Sequence, residues 1–162
     1  MRNIVLTCLL VVLSMPALAL ESEGAQRMVQ RYAELVACQT SSPGDYRRNE
    51  YKAVEIPLSM SEIPGADSLW VVYWEGNIGC ESGPAAGPRF TAVIDSSYAG
   101  RAIVKPMYTA DTPGLVIVHD IASEDGFLVI DGLTYGSDDG REPQTPIQFK
   151  FKPGYDNFER VD

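Results

Sequence analysis

The chain has 162 residues, with 13 basic side chains against 22 acidic ones, a formal net charge of −9, one histidine and three cysteines. That balance argues against nucleic acid and anionic lipid as partners, because both are held through lysine and arginine, and it leaves a cationic protein partner open. A lone histidine cannot supply the two imidazoles of a His-pair metal site, so neither a metal nor another cofactor is expected.

The N-terminus reads as an export signal. Met1-Arg2-Asn3 is a short basic start, Ile4 to Leu13 is apolar, and Ala17-Leu18-Ala19 fits the A-x-A cleavage pattern, with Pro16 closing the apolar run. Residues 1–19 are therefore expected to be removed, leaving 20–162 as one globular domain in the periplasm or secreted. The apolar run is about ten residues, half of what spans a bilayer, so no membrane insertion is expected after cleavage. A lipid-modified Cys8 is the competing reading, and it would need an unusually short signal ahead of Thr7.

Cleavage removes Cys8 and leaves Cys38 and Cys80, which in an oxidising compartment are expected to form one disulfide. That bond would close a loop of about 43 residues and stabilise the fold by roughly 4 kcal/mol.

The first element of the mature chain is an amphipathic helix. Ala25, Met28, Val29, Tyr32, Leu35 and Val36 recur at helical spacing, with Gln26, Arg27, Gln30, Arg31 and Glu34 on the other face. Glu21 and Glu23 suit its start, Ser22 suits a cap, and Thr40 to Gly44 ends it, which places Cys38 at its last turn. From residue 51 the pattern becomes extended. Val54, Ile56 and Leu58 alternate with polar or small residues, and Leu69 to Glu75 is an aromatic and β-branched run that suits a strand covered on both faces. Further strands are expected at Phe90 to Asp95, Ala102 to Lys105, Leu115 to Ile121, Phe127 to Tyr135 and Ile147 to Lys152.

The short polar links Asp95 to Gly100 and Ser123 to Gly126 fit hairpins. No second amphipathic stretch offers a crossover helix. The fold class is accordingly α+β: one N-terminal helix packed on a curved, even barrel-like, antiparallel meander of about seven strands.

Two loops stand out. Gly76 to Pro88 holds four glycines and two prolines around Cys80, and Gly136 to Thr145 holds Asp138, Asp139, Arg141 and Glu142. The first points to a binding surface built from Trp74, Asn77, Glu81 and Arg89, joined by Asp138 and Asp139 from the second. Trp70 and Trp74 share one face of their strand and Tyr73 takes the other, so an aromatic platform competes with plain core packing. Asp138, Asp139 and Glu142 offer oxygens for calcium, but the full D-x-[DN]-x-[DN]-G loop is absent.

Catalytic signals are thin. His119 falls on the same strand face as Leu115, Ile117 and Ile121, as a core histidine would, and with Asp120 it is the only candidate for catalysis. No G-x-S-x-G elbow accompanies them.

The stretch Trp74-Glu-Gly-Asn-Ile-Gly-Cys80 and the later Asp131-Gly-Leu-Thr-Tyr-Gly-Ser-Asp-Asp139 resemble a group of small exported bacterial proteins of unassigned function, with a W-x-G-x-x-G-C turn and a Y-G-x-D-D turn. In that group the second turn is often followed by a cysteine pair and Pro-Ser, where this chain has Arg141 to Pro146. The resemblance covers about half the mature chain, its motifs are short, and it implies no activity. Two functions remain open: a non-enzymatic binding protein, such as an inhibitor or immunity protein against a wall-active or toxic partner, and a small hydrolase using His119 with nearby carboxylates.

Overall fold

The structure, a computed structural model, describes residues 20–39, 51–58, 62–78, 87–96, 99–135 and 145–161, with the backbone alone at 38 and 39. Helix α1 is Ser22–Val36. Its N-cap is Glu21, which makes no side-chain capping bond, and Ser22 is the first helical residue instead of the cap. Ser22 Oγ accepts from Gln26 Nε2 one turn on, at 3.3 Å. Ala25, Val29 and Ala33 are fully buried at the i, i+4, i+8 spacing of one face. Leu35, expected on that face, is 85 % exposed.

The helix stops at Val36 because Ala37 turns extended (φ −94°, ψ 132°) and enters strand β1, Ala37–Gln39, which pairs with the far end of β3. Cys38 therefore lies in a strand, beyond the helix's last turn. Its side chain and Cys80 fall outside the described residues, so the expected disulfide does too.

The seven segments expected as strands all form. They are β2 (Lys52–Ile56), β3 (Ser68–Ile78), β4 (Gly87–Ser96), β5 (Arg101–Lys105), β6 (Leu115–Glu124), β7 (Phe127–Thr134) and β8 (Thr145–Pro153). Two short strands join them, β1 and β9 (Phe158–Arg160). Among the described residues they do not make one curved sheet and no barrel closes. One antiparallel sheet runs β1-β3-β4-β5 with β2 also paired to β3, and a second runs β6-β7-β8-β9.

Alternation along β3 explains the division. Leu69, Val71 and Tyr73 face the second sheet, where Ile121, Ile130 and Phe149 meet them, while Trp70, Val72 and Trp74 face Ala25, Val29 and Ala33 of the helix. The first sheet is thus the middle of three layers, and β3 is covered on both faces as its apolar run requires. Burial of one such side chain contributes about 1.5–3 kcal/mol. The aromatic run is core, not platform.

The turns carry their own chemistry. Asp125 (φ 52°) and Gly126 (φ 81°) form the two-residue link between Glu124 and Phe127, both left-handed as a type I′ hairpin demands. The passage from sheet to sheet after β5 is pinned by Tyr108, which is buried, stacks edge-on against Phe158 at 4.7 Å and donates to the Gly154 carbonyl at 2.7 Å. Gly76 pairs with Gly87 and Glu75 with Pro88, so both ends of the expected long loop belong to the β3–β4 ladder.

Candidate functional site

The site is set by an irregularity in β6. Its register against β7 slips twice, between Leu115 and Ile117 and between Val118 and Asp120. Each slip inserts an extra residue, so the inward positions are Leu115, Val118 and Ile121, three apart instead of two. His119 is one of the extra residues and is exposed, not on the core face that strict alternation assigns it. Gly132 opposite makes room, since a Cβ there would stand 2.1 Å from the Ile117 carbonyl oxygen and 2.5 Å from Leu115 Cδ1. The bulge thus turns the chain's only histidine outward.

His119 faces a groove of about 700 Å³. One wall is the helix, through Glu23, Gln26, Arg27 and Gln30, which recur on one stripe at i, i+3, i+4 and i+7. The floor is Tyr51 and Lys52 at the start of β2 with Tyr73 beside them, and the far wall is Val118 and His119. Tyr51 lies on the helix side of the first sheet and Tyr73 on the other, so the groove lies along that sheet's edge.

Most of its polar groups are already engaged. Lys52 of β2 is salt-bridged and hydrogen-bonded to Asp120 of β6, a latch between the two sheets. The Lys52 ammonium holds the Asp120 carboxyl below the usual carboxylate range, and the Ile121 amide donates to the same carboxylate oxygen at 2.8 Å. Arg27 pairs with Glu23 at 3.4 Å and Gln30 donates to Glu34 at 3.2 Å, both along the helix. Tyr73 donates its hydroxyl to Glu75 at 2.6 Å. Partial burial, and after it the Glu34 carboxylate, raises the Tyr51 phenol.

The other expected site residues divide in two. Trp74 is 1 % exposed, stands edge-on to Tyr32 at 6.4 Å and donates Nε1 to Thr91 Oγ1 at 2.9 Å, so it has no face for a partner. Arg89 donates Nε to the Gly76 carbonyl at 3.1 Å, a strut across the hairpin, and Asn77 is half-buried in β3 opposite Gln39. Glu81, Asp138 and Asp139 lie outside the described residues. His119 and Asp120 are neighbours in the chain, but Asp120 Oδ1 is turned to Lys52 and to the Ile121 amide.

Sequence reasoning named the polar stripe of the helix but not its role, and it missed Tyr51, Lys52 and the bulge. The isolated Gly132 inside a strand pattern is the signal that could have found the bulge.

Among the described residues no group of three His, Cys, Asp or Glu side chains is placed to hold a metal ion, and no helix is long and apolar enough to cross a membrane. No family model, curated protein or solved structure matches the chain.

Proposed function

We propose that this chain is a non-enzymatic binding protein, exported to the periplasm or secreted, that docks a protein partner in the manner of an inhibitor or immunity protein. The observation that carries this reading is the composition of the groove. Four elements bring amides, phenols and charged groups together around an open channel, yet among the described residues no serine, threonine or cysteine lines it, and the carboxylate next to His119 is engaged by Lys52. That is a set of recognition groups without a nucleophile and its base.

The acidic balance of the chain suits a basic partner, whose approach it would accelerate more than it would tighten the complex. The hydrolase alternative requires His119 to act as a base with a carboxylate behind it. Asp120 already holds Lys52 and the Ile121 amide through Oδ1.

The test is a pull-down from periplasmic extract with the mature chain, repeated with His119→Ala and with the paired change Gln26→Ala/Gln30→Ala. A partner retained by His119→Ala and lost by the glutamine pair supports docking through the groove. Recovery of no partner at any salt concentration, or a hydrolytic activity that His119→Ala abolishes, overturns it.

A further inference from the structure

Leu20, the first residue after the expected cleavage site, is seated on the fold by its backbone and by its side chain. Its nitrogen donates to Asp95 Oδ2 at 3.1 Å, across 75 positions of sequence. Its side chain is half-buried and packs on the cluster that holds Ala25, Trp70 and Val93, between the helix and the first sheet. Gly24 leaves room for it, since a Cβ there would stand 2.8 Å from Leu20 Cδ1. Glycine is a poor helix former, so this seat is kept against local propensity.

Asp95 is held as firmly. Strand β4 is paired on both sides at this point, Asp95 with Ser68 of β3 and with Ala102 of β5, and the Asp95 carbonyl accepts from the Asp67 amide at 2.8 Å. Asp95 follows Val93 by two residues and so shares the sheet face that meets the helix. A half-buried carboxylate on such a face is stabilised by a positive partner. Among the described residues no lysine, arginine or histidine forms a salt bridge with it.

Processing supplies that partner. Before cleavage the Leu20 nitrogen is a neutral amide with a single hydrogen. Hydrolysis of the Ala19–Leu20 bond by the peptidase of the export route adds hydroxyl to the Ala19 carbonyl carbon and hydrogen to the Leu20 nitrogen. The new amine takes one more proton from water and, below its ordinary pKa of about 8, is an ammonium with three donors. Standing just ahead of α1, this charge meets the positive end of the helix dipole, which disfavours it. Of the nearby carboxylates, Glu23 is paired with Arg27, and Asp95 is already in contact with the nitrogen.

We infer that Asp95 is the docking site for the new N-terminus: removal of residues 1–19 turns the Leu20–Asp95 hydrogen bond into an ion pair that ties the start of α1 to β4. This rests on the export reading above and adds what cleavage does to the fold. A chain that keeps residues 1–19 has no ammonium at Leu20, so the domain is more stable after processing than before it.

The experiment compares four proteins in urea: the mature chain starting at Leu20, the same chain with Ala17-Leu18-Ala19 retained, and each of these with Asp95→Asn, all released from a cleavable N-terminal fusion. The retained residues leave the Leu20 nitrogen an amide and move the ammonium away from Asp95. Asparagine keeps the shape of the side chain and can still accept from an amide, but it carries no charge. Asp95→Asn is expected to lower the folded-to-unfolded ratio about five- to tenfold in the chain starting at Leu20 and about twofold or less in the extended one. The same loss in both would show that Asp95 holds the amide and not the charge, which overturns the inference.

N-terminal sequencing of the chain recovered from the periplasm completes the test. A start at Leu20 supports the docking site, and a start at any other residue overturns it while export stands. A chain recovered only from the cytoplasm, with residues 1–19 intact, overturns the export reading together with it.

Discussion

Gly132→Ala is the sharpest test of how the site is made. The new methyl would stand 2.1 Å from the Ile117 carbonyl oxygen, where ordinary contact begins at 3.4 Å, so β6 and β7 must separate by more than 1 Å at the bulge. A shift of that size disrupts about two ladder hydrogen bonds, each worth about 1 kcal/mol, and displaces Leu115 from the core, for a total near 3 kcal/mol. For a domain of this length that is roughly a 10 °C fall in Tm, read by circular dichroism. Gly87→Ala is the control, because nothing among the described residues lies within 4 Å of its added methyl. It should change stability by less than about 0.5 kcal/mol. Since the bulge turns His119 outward, Gly132→Ala should also shift the histidine ring resonances in NMR. If Gly132→Ala unfolds with the wild type and His119 is unmoved, the bulge does not shape the groove wall.

Thr91→Val removes the acceptor of the buried Trp74 indole and should cost about 1–3 kcal/mol, seen as a lower urea midpoint with an unchanged slope. Burial pushes the Tyr108 phenol up to about 12, while the unfolded chain gives up that proton near 10. The folded pKa is the higher one, so this contribution is whole below pH 10 and is lost as pH rises toward 12, by roughly 2–3 kcal/mol in all. Tyrosinate absorbance should show a late phase that Tyr108→Phe diminishes without abolishing, the Tyr51 phenol being raised as well. Asp120 is the opposite case, with its carboxyl lowered by Lys52, so its contribution is present above the ordinary carboxylate pKa and lost on acidification through the lower folded one. With both partners about half exposed the effect should stay under about 1 kcal/mol, and Lys52→Met should remove the acid-side difference in denaturant titrations.

Much of the architecture was legible because its signals are local and periodic. Trp70 and Trp74 against Tyr73, and Ile147, Phe149 and Phe151 against Gln148 and Lys150, face as alternation dictates. The split into two sheets was not legible. Alternation says that a strand has two faces but not which layer covers each, and the passage held by Tyr108 and Phe158 depends on contacts remote in sequence. His119 was misplaced because a bulge shifts side-chain parity without leaving a mark in its own strand. The groove was hidden for a related reason. Its walls come from residues near 25, 52 and 118, which share no motif and meet only once the sheets are stacked. Trp74 drew attention as a binding residue by its size, and that size is what places it in the core.

The most direct measurement is the amide hydrogen-exchange footprint of the partner recovered from extract, bound to the mature chain. Docking in the groove predicts new protection at Tyr51 and Lys52 and around Val118 and His119, with none along Arg101–Lys105. Protection confined to other surfaces, with Tyr51, Lys52, Val118 and His119 exchanging as in the free protein, would contradict it.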